Sequence, residues 1–513
     1  MVKNSVCKLR NLKFGECLFG MIRIIFFLIY MFIFYVLFFK ETMNIYVPAN
    51  RINAPSNKIL LIGVILLIAI SVLGSKYLGH KFKLNFYKSI ILVSSLVYVI
   101  QIFILYHIVF YTGWDCGTIR DLAYSYIYNG TMDPRYLSIN PNNIFMECIT
   151  IAGLKIFSFL GNFDAMHFAM ICVMDLVMNI SICLVAVIAY KITGNRFLSF
   201  IGYFCLVILV ALSPWIVIPY TDTASIIFPI GILYIYLEKD CFRSNFLFWF
   251  VLSSIGVIGY FIKPTCIIML IAIIIVNLLK IQHLEWKKCV LSIMGVLIST
   301  LIISAGNSYI KYRMDLDQEL NLTWAHYIMM GMNQESWGVW NQEDFDFSLT
   351  IDGKEERYQK DLSRLKERIQ EYGVSGVILQ MQKKTLINFN DGSFAWGNEG
   401  NFYATPNSND SKISNFLKSI FYQNEQGTRY KYLFGIQHFI WLFVLILSLF
   451  CCFKIAGSLE VKYVILLALI GIVVFVTLFE ARGRYIFNYV PIFVLAAICG
   501  MENVINIGTK EGL

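Results

Sequence analysis

Two short stretches carry residue types that move protons and hold phosphates. WDCGTIRDLAYSY, from Trp114, sets Asp115 and Asp121 directly after a long apolar run, and EARGRY, from Glu480, sets Arg482, Arg484 and Tyr485 directly before another. Between them, NPNN contributes Asn142 and Asn143, IPYTDTAS contributes Tyr220 and Asp222, and GYFIKPT contributes Lys263 in a tight turn. A carboxylate placed so can take the proton of an acceptor hydroxyl. Guanidinium groups bind phosphate oxygens in pairs, and lysine acts as a point charge. Together they suit displacement at a sugar anomeric carbon with a lipid phosphate leaving. Simpler roles stand beside this one: a helix cap for Asp115, and headgroup anchoring or pairing with Glu480 for the basic residues.

The elements that must position these groups are membrane spans. The 513 residues are 58% hydrophobic and 15% charged, with repeated apolar runs near the roughly 20 residues that cross a bilayer. The net charge of +9 forms no long basic cluster, which argues against nucleic acid as a partner. Five basic residues precede the first apolar run and no small-residue cleavage site follows it, the pattern of an uncleaved signal anchor with its N-terminus inside. The 13 cysteines show no CxxC spacing and read as packing residues.

Twelve spans are predicted, at roughly 21–39, 58–75, 88–110, 165–190, 197–218, 223–237, 246–262, 264–281, 289–306, 433–453, 461–479 and 485–503. The loops 75–83, 191–196, 238–243 and 285–288 then face the cytoplasm and are basic or mixed, as the charge bias requires. The apolar stretch 143–161 is laid on the outer face as a juxtamembrane helix, because counting it as a span would invert every later loop; Glu147 and Lys155 within it agree. The predicted fold is all-α and polytopic, with an anchor region 1–87, a membrane core 88–306 carrying the catalytic loop 111–164, a mostly helical extracytoplasmic domain 307–432, and C-terminal spans 433–513.

That polar segment holds 14 Lys and Arg against 17 Asp and Glu, so the basic excess lies in the membrane part. Helices are expected over 323–333 and 353–373. His326 and Asn333, with Trp324, Trp337 and Trp340, form an aromatic and amide set suited to a sugar ring, joined by Asp391, Trp396 and Glu399; the same residues equally suit the core of a small domain. His326 has no second histidine at metal-ligand spacing. Asp175 falls mid-span with His167 and Asn179 nearby, where mutual satisfaction with Asn179 and a neighbouring span competes with a functional role. His107 reads as a packed histidine.

WDCGTIRDLAYSY after an early span, NPNN before an apolar juxtamembrane helix, short turns with KP, and EARGRY before the last span resemble the GT-C membrane glycosyltransferases. The likeness is to the branch with protein O-mannosyltransferases and lipid A aminoarabinose transferases, in particular integral membrane members from Gram-positive bacteria. It covers about 88–500 in scattered short motifs. The resemblance implies that Asp115 takes the place of the catalytic aspartate, with Ala123 at the small position eight residues on. Cys116 stands where an acidic pair would have its second member, a departure that bears on metal binding; Asp121 is a possible substitute. NPNN replaces a proline pair and offers Asn142 and Asn143, with Asp222, His326 and Asn333, as sugar or acceptor contacts. Lys263, Arg482, Arg484 and Tyr485 match residues that hold lipid phosphate.

The expected protein is therefore a multi-pass cell-membrane enzyme, working at the extracytoplasmic face. It moves a sugar from a polyprenyl-phosphate donor to an extracytoplasmic acceptor with inversion, Asp115 acting as general base. No cofactor is expected, and the sequence does not support a divalent metal. Two rivals stay open: a transporter or lipid flippase, which needs polar groups or broken helices near the midplane, and a ligase or polymerase moving whole oligosaccharides.

Overall fold

The computed structural model describes residues 2–41, 55–78, 85–280, 285–399, 403–405, 408–424, 426–453 and 459–507. The protein is an all-α polytopic membrane protein. Nine helices among the described residues are long and apolar enough to span: Gly15–Phe39, Asn57–Tyr77, Phe86–Ile108, Phe163–Thr193, Asn245–Ile262, Trp286–Arg313, Tyr430–Cys452, Glu460–Leu478 and Gly483–Asn506. Three shorter apolar helices, Arg196–Ala211, Thr221–Leu237 and Pro264–Leu279, occupy the other three predicted positions. Long apolar runs become helices because lipid offers no partner for backbone polar groups, so each run must satisfy its own.

Ion pairs sort the connections to two ends of the bundle. Lys191 pairs with Glu238, and Lys239 and Lys280 both reach Glu460, so the loops around 191–196, 238–243, 280 and 460 gather at one end. Tyr220, Lys263 and Arg484 meet at the other. Of the 75–83 loop, 79–83 lies outside the described residues.

The 143–161 stretch forms a helix over Ile144–Ile156 and a short 3-10 turn over Ser158–Leu160. It packs against Asp115–Asn129 and against Phe163–Thr193, at the site end. Glu147 departs from the interfacial exposure expected of it: it is fully buried, while Lys155 lies over the Tyr126 ring at 4.7 Å.

In the polar segment the first expected helix spans Trp324–Gly331. The second runs on from Lys354 to Phe389 through a break at Gly373 (φ 57, ψ −172), a backbone geometry that glycine reaches without a Cβ clash. This long helix binds the segment to the bundle. Asn388 donates to the Val476 carbonyl at 3.1 Å and Lys384 to the Phe479 carbonyl at 2.5 Å. A two-stranded antiparallel ladder, with Tyr111 opposite Thr405 and Thr112 opposite Tyr403, ties the segment to the start of the 111–164 loop; short pairing between loops 294 positions apart has no local signature.

Candidate active site

Asp115 is the first residue of the helix Asp115–Asn129, and Trp114 stands at the cap position. Gly117 permits the tight approach of this helix start to the preceding strand, since a Cβ there would lie 2.2 Å from the Thr112 carbonyl oxygen. The Asp115 carboxylate accepts no backbone N–H. Instead Tyr136 donates to Oδ1 at 2.9 Å and Tyr220 reaches Oδ2 at 3.4 Å. Asn143 orders both phenols: its amide donates to the Tyr136 hydroxyl at 2.7 Å, and its carbonyl lies 3.0 Å from the Tyr220 hydroxyl. Burial and the neighbouring Asp115 push both phenols well above their ordinary values, so both stay protonated donors. The cap alternative raised by the sequence is not the geometry found.

On the other side of Tyr220 stands the cationic group. The Arg484 guanidinium lies 4.4 Å over the Trp114 ring, 5.6 Å over Tyr220 and 5.5 Å over Tyr485. Stacking on these aromatic faces fixes the plane of the guanidinium. The Trp114 indole N–H is buried with no acceptor among the described residues.

Asp222 sits in the first turn of Thr221–Ala224 and is the counter-ion of this cluster. Lys263 contacts its Oδ1 at 2.5 Å and Arg484 lies 3.6 Å from its Oδ2. Lys263 also reaches the Arg484 backbone carbonyl at 3.4 Å and is 6% exposed, so it braces the EARGRY loop from within. Arg482 lies 3.6 Å from Glu480. Ala481 donates to the Gly338 carbonyl at 2.7 Å, and a Cβ on Gly331 would meet the Phe479 carbonyl at 2.6 Å. The polar segment thus clamps the EARGRY loop from behind.

The remaining expected site residues lie elsewhere. Asp121 pairs with its neighbour Arg120 at 2.8 Å and its side chain is 69% exposed; six residues along a helix carry it well round from Asp115. Asn142 is exposed, with its amide 3.5 Å from the Asn143 side-chain oxygen. His326 is buried, bonded to Ser348 at 2.7 Å, with Ser348 in turn bonded to Asp361; burial lowers its imidazole to about 4. Asn333 donates to Asp344, which also binds Arg368. Both residues knit the polar segment internally. Trp337 and Trp396 are core, whereas Trp324 and Trp340 are about half exposed. Asp391 holds its own turn through Ser393 and Ala395, and the side chain of Glu399 lies outside the described residues.

Cys116 turns its thiol to the Pro219 carbonyl at 3.8 Å. Among the described residues no three His, Cys, Asp or Glu side chains gather as metal ligands. Asp175 is 1% exposed, and its Oδ2 has no hydrogen-bond partner; Asn179 bonds Gln101 instead of Asp175. His107 is buried, with Asn409 3.5 Å from its ring. Sequence reasoning missed Tyr136 and Tyr327. Tyr327 lies near enough to Asp115 and Glu480 to feel both charges, one position from the inward-facing His326. Nothing local distinguishes either among 30 tyrosines.

Residues 17–505 match the family model described as conserved hypothetical integral membrane protein. The chain belongs to that family. No curated protein and no solved structure matches it.

Proposed function

We propose that the chain is a GT-C-type membrane glycosyltransferase. It takes a sugar from a polyprenyl phosphate and places it on an acceptor at the extracytoplasmic face. The observation that carries this reading is the shared wall of Trp114 and Tyr220: Tyr220 contacts Asp115 with its hydroxyl and Arg484 with its ring face. A carboxylate and a guanidinium therefore stand on two sides of one aromatic partition.

In the proposed reaction, an Asp115 carboxylate oxygen accepts the acceptor hydroxyl proton as that oxygen attacks the anomeric carbon. The bond from the anomeric carbon to the phosphate oxygen breaks, and its electron pair leaves with the lipid phosphate. Arg484 stabilises the charge developing there, assisted by the unsatisfied Trp114 N–H. Direct attack inverts the anomeric centre. Tyr136 and Tyr220 fix the direction of the carboxylate, and Lys263 with Asp222 fixes the loop that presents Arg484. Asp115, Arg484 and Trp114 touch reacting groups in this scheme, and Lys263 and Asp222 are positioning residues.

The test is transfer from a lipid-linked sugar in vesicles, with Asp115→Asn as the decisive variant. A transporter reading rests on the buried Asp175 and the Gln101–Asn179 pair within the spans, and is favoured if flux of the lipid-linked sugar persists in a variant that transfers nothing.

A further inference from the structure

Beside the site, and separated from it by the NPNN turn, lies a cavity of about 470 Å³. Asn143 faces the Asp115 side of that turn, whereas Asn142 lines the cavity. The opposite wall belongs to the polar segment and to the site end of the helix Trp286–Arg313, with Lys311, Trp324, Lys354 and Tyr358.

Three features of the wall remain unexplained by the fold. First, Lys311 and Lys354 are half-buried and close enough to repel each other, and neither has an ion-pair partner among the described residues. Glu319 accepts the Lys354 backbone N–H, and Glu355, also in the lining, accepts from Gln359. Two ammonium groups lining one cavity repel each other, and a bound anion relieves that repulsion. Second, Asn321 Oδ1 and Thr323 Oγ1 are buried with no hydrogen-bond partner, although buried polar atoms are nearly always satisfied. Third, Trp324 is 52% exposed, held edge-on by Tyr358 at 5.5 Å, so an indole is presented to the cavity on a rigid support.

We propose that this cavity binds an anionic, hydroxyl-rich chain, a sugar or polyol phosphodiester, with its phosphate between Lys311 and Lys354 and its carbon framework against Trp324. The lining residues Asn142 and Asn307 supply the polar contacts to its hydroxyls. Its position against the NPNN turn makes it the anchoring site for the acceptor, a role that rests on the transferase reading; the binding itself does not. Two sources carry this chemistry, a soluble or wall-bound polymer and the headgroup of an anionic lipid.

The full chain in neutral phosphatidylcholine nanodiscs is titrated with a short poly(glycerol phosphate), followed by calorimetry. Expected are salt-sensitive binding, a loss of about tenfold or more on Lys311→Gln with Lys354→Gln, as two charge-assisted contacts imply, and retention on Lys311→Arg with Lys354→Arg. Trp324→Ala weakens binding with the lysines intact. Nanodiscs containing phosphatidylglycerol decide the source: competition identifies the lipid headgroup, and its absence identifies the polymer. Equal affinity in wild type and the double Gln variant, with thermal stability matched, overturns the proposal, as does equal binding of an uncharged oligosaccharide. Asp115→Asn leaves this binding unchanged, so transfer surviving in that variant sinks the transferase and spares the cavity.

Discussion

The Arg484 guanidinium lies 4.4 Å over the Trp114 ring, and Trp114 immediately precedes Asp115. A residue near position 484 and one near 115 are thereby locked into one aromatic contact, with Tyr220 completing the partition between them. Arg484→Lys keeps the charge but loses both the planar fork and the stacking. We expect the apparent affinity for the lipid-linked donor to fall about tenfold or more with the fold intact. Unchanged donor affinity in Arg484→Ala would make the arginine a brace for the loop.

Asp115→Asn retains size and hydrogen-bonding capacity but is not a base at neutral pH. A general base contributes roughly 100-fold to 10,000-fold in rate, so transfer should fall by that order while donor binding and thermal stability hold. Near-normal turnover in this variant leaves the proposed mechanism without a base.

Tyr136→Phe removes the donor to Asp115 Oδ1 and strands the Asn143 amide. Leaving a buried donor unsatisfied costs about 1–3 kcal/mol, which a lowered Tm in detergent reads directly. The kcat of the folded fraction separates this from simple destabilisation: losing a donor that orients the base lowers it, whereas a purely structural phenol leaves it in place.

Glu147 is buried on the helix face that also carries Asn143, with neither carboxyl oxygen hydrogen-bonded. Burial pushes its carboxyl up to about 8 from an ordinary 4.5. A raised folded pKa means that the native state holds the extra proton between those values, so stability is fully present below about pH 4.5 and is lost as pH rises toward 8. Thermal scans in detergent from pH 5 to 8 should show this decline, and Glu147→Gln should flatten it by an amount on the order of a few kcal/mol at the alkaline end. A wild-type slope matching that of Glu147→Gln excludes this carboxyl as the cause.

Cys241 and Ser408 are both exposed, and the twelve-span arrangement sets them on opposite sides of the membrane. A membrane-impermeant maleimide applied to intact cells should label Ser408→Cys and reach Cys241 only after permeabilisation. Labelling of Cys241 from outside reverses the orientation.

The membrane architecture was legible because a span is a local object. Each apolar run satisfies its own backbone, so the nine long and three shorter apolar helices fall where composition puts them, and the 143–161 stretch becomes a short helix beside the bundle. Residue chemistry and order likewise marked Asp115, Tyr220, Lys263 and Arg484 in advance. Their pairing was not legible, since it joins turns far apart in the chain: Lys263 with Asp222 across 41 positions, and Tyr220 with Asp115 across 105. Only tertiary packing decided that Asp222 serves the cations, and that His326 and Asn333 face inward while the adjacent Tyr327 feels the Asp115 charge. One residue along a helix turns a side chain by about 100°, so a motif names the neighbourhood of a site, and the packing of its helix determines which of its members enters.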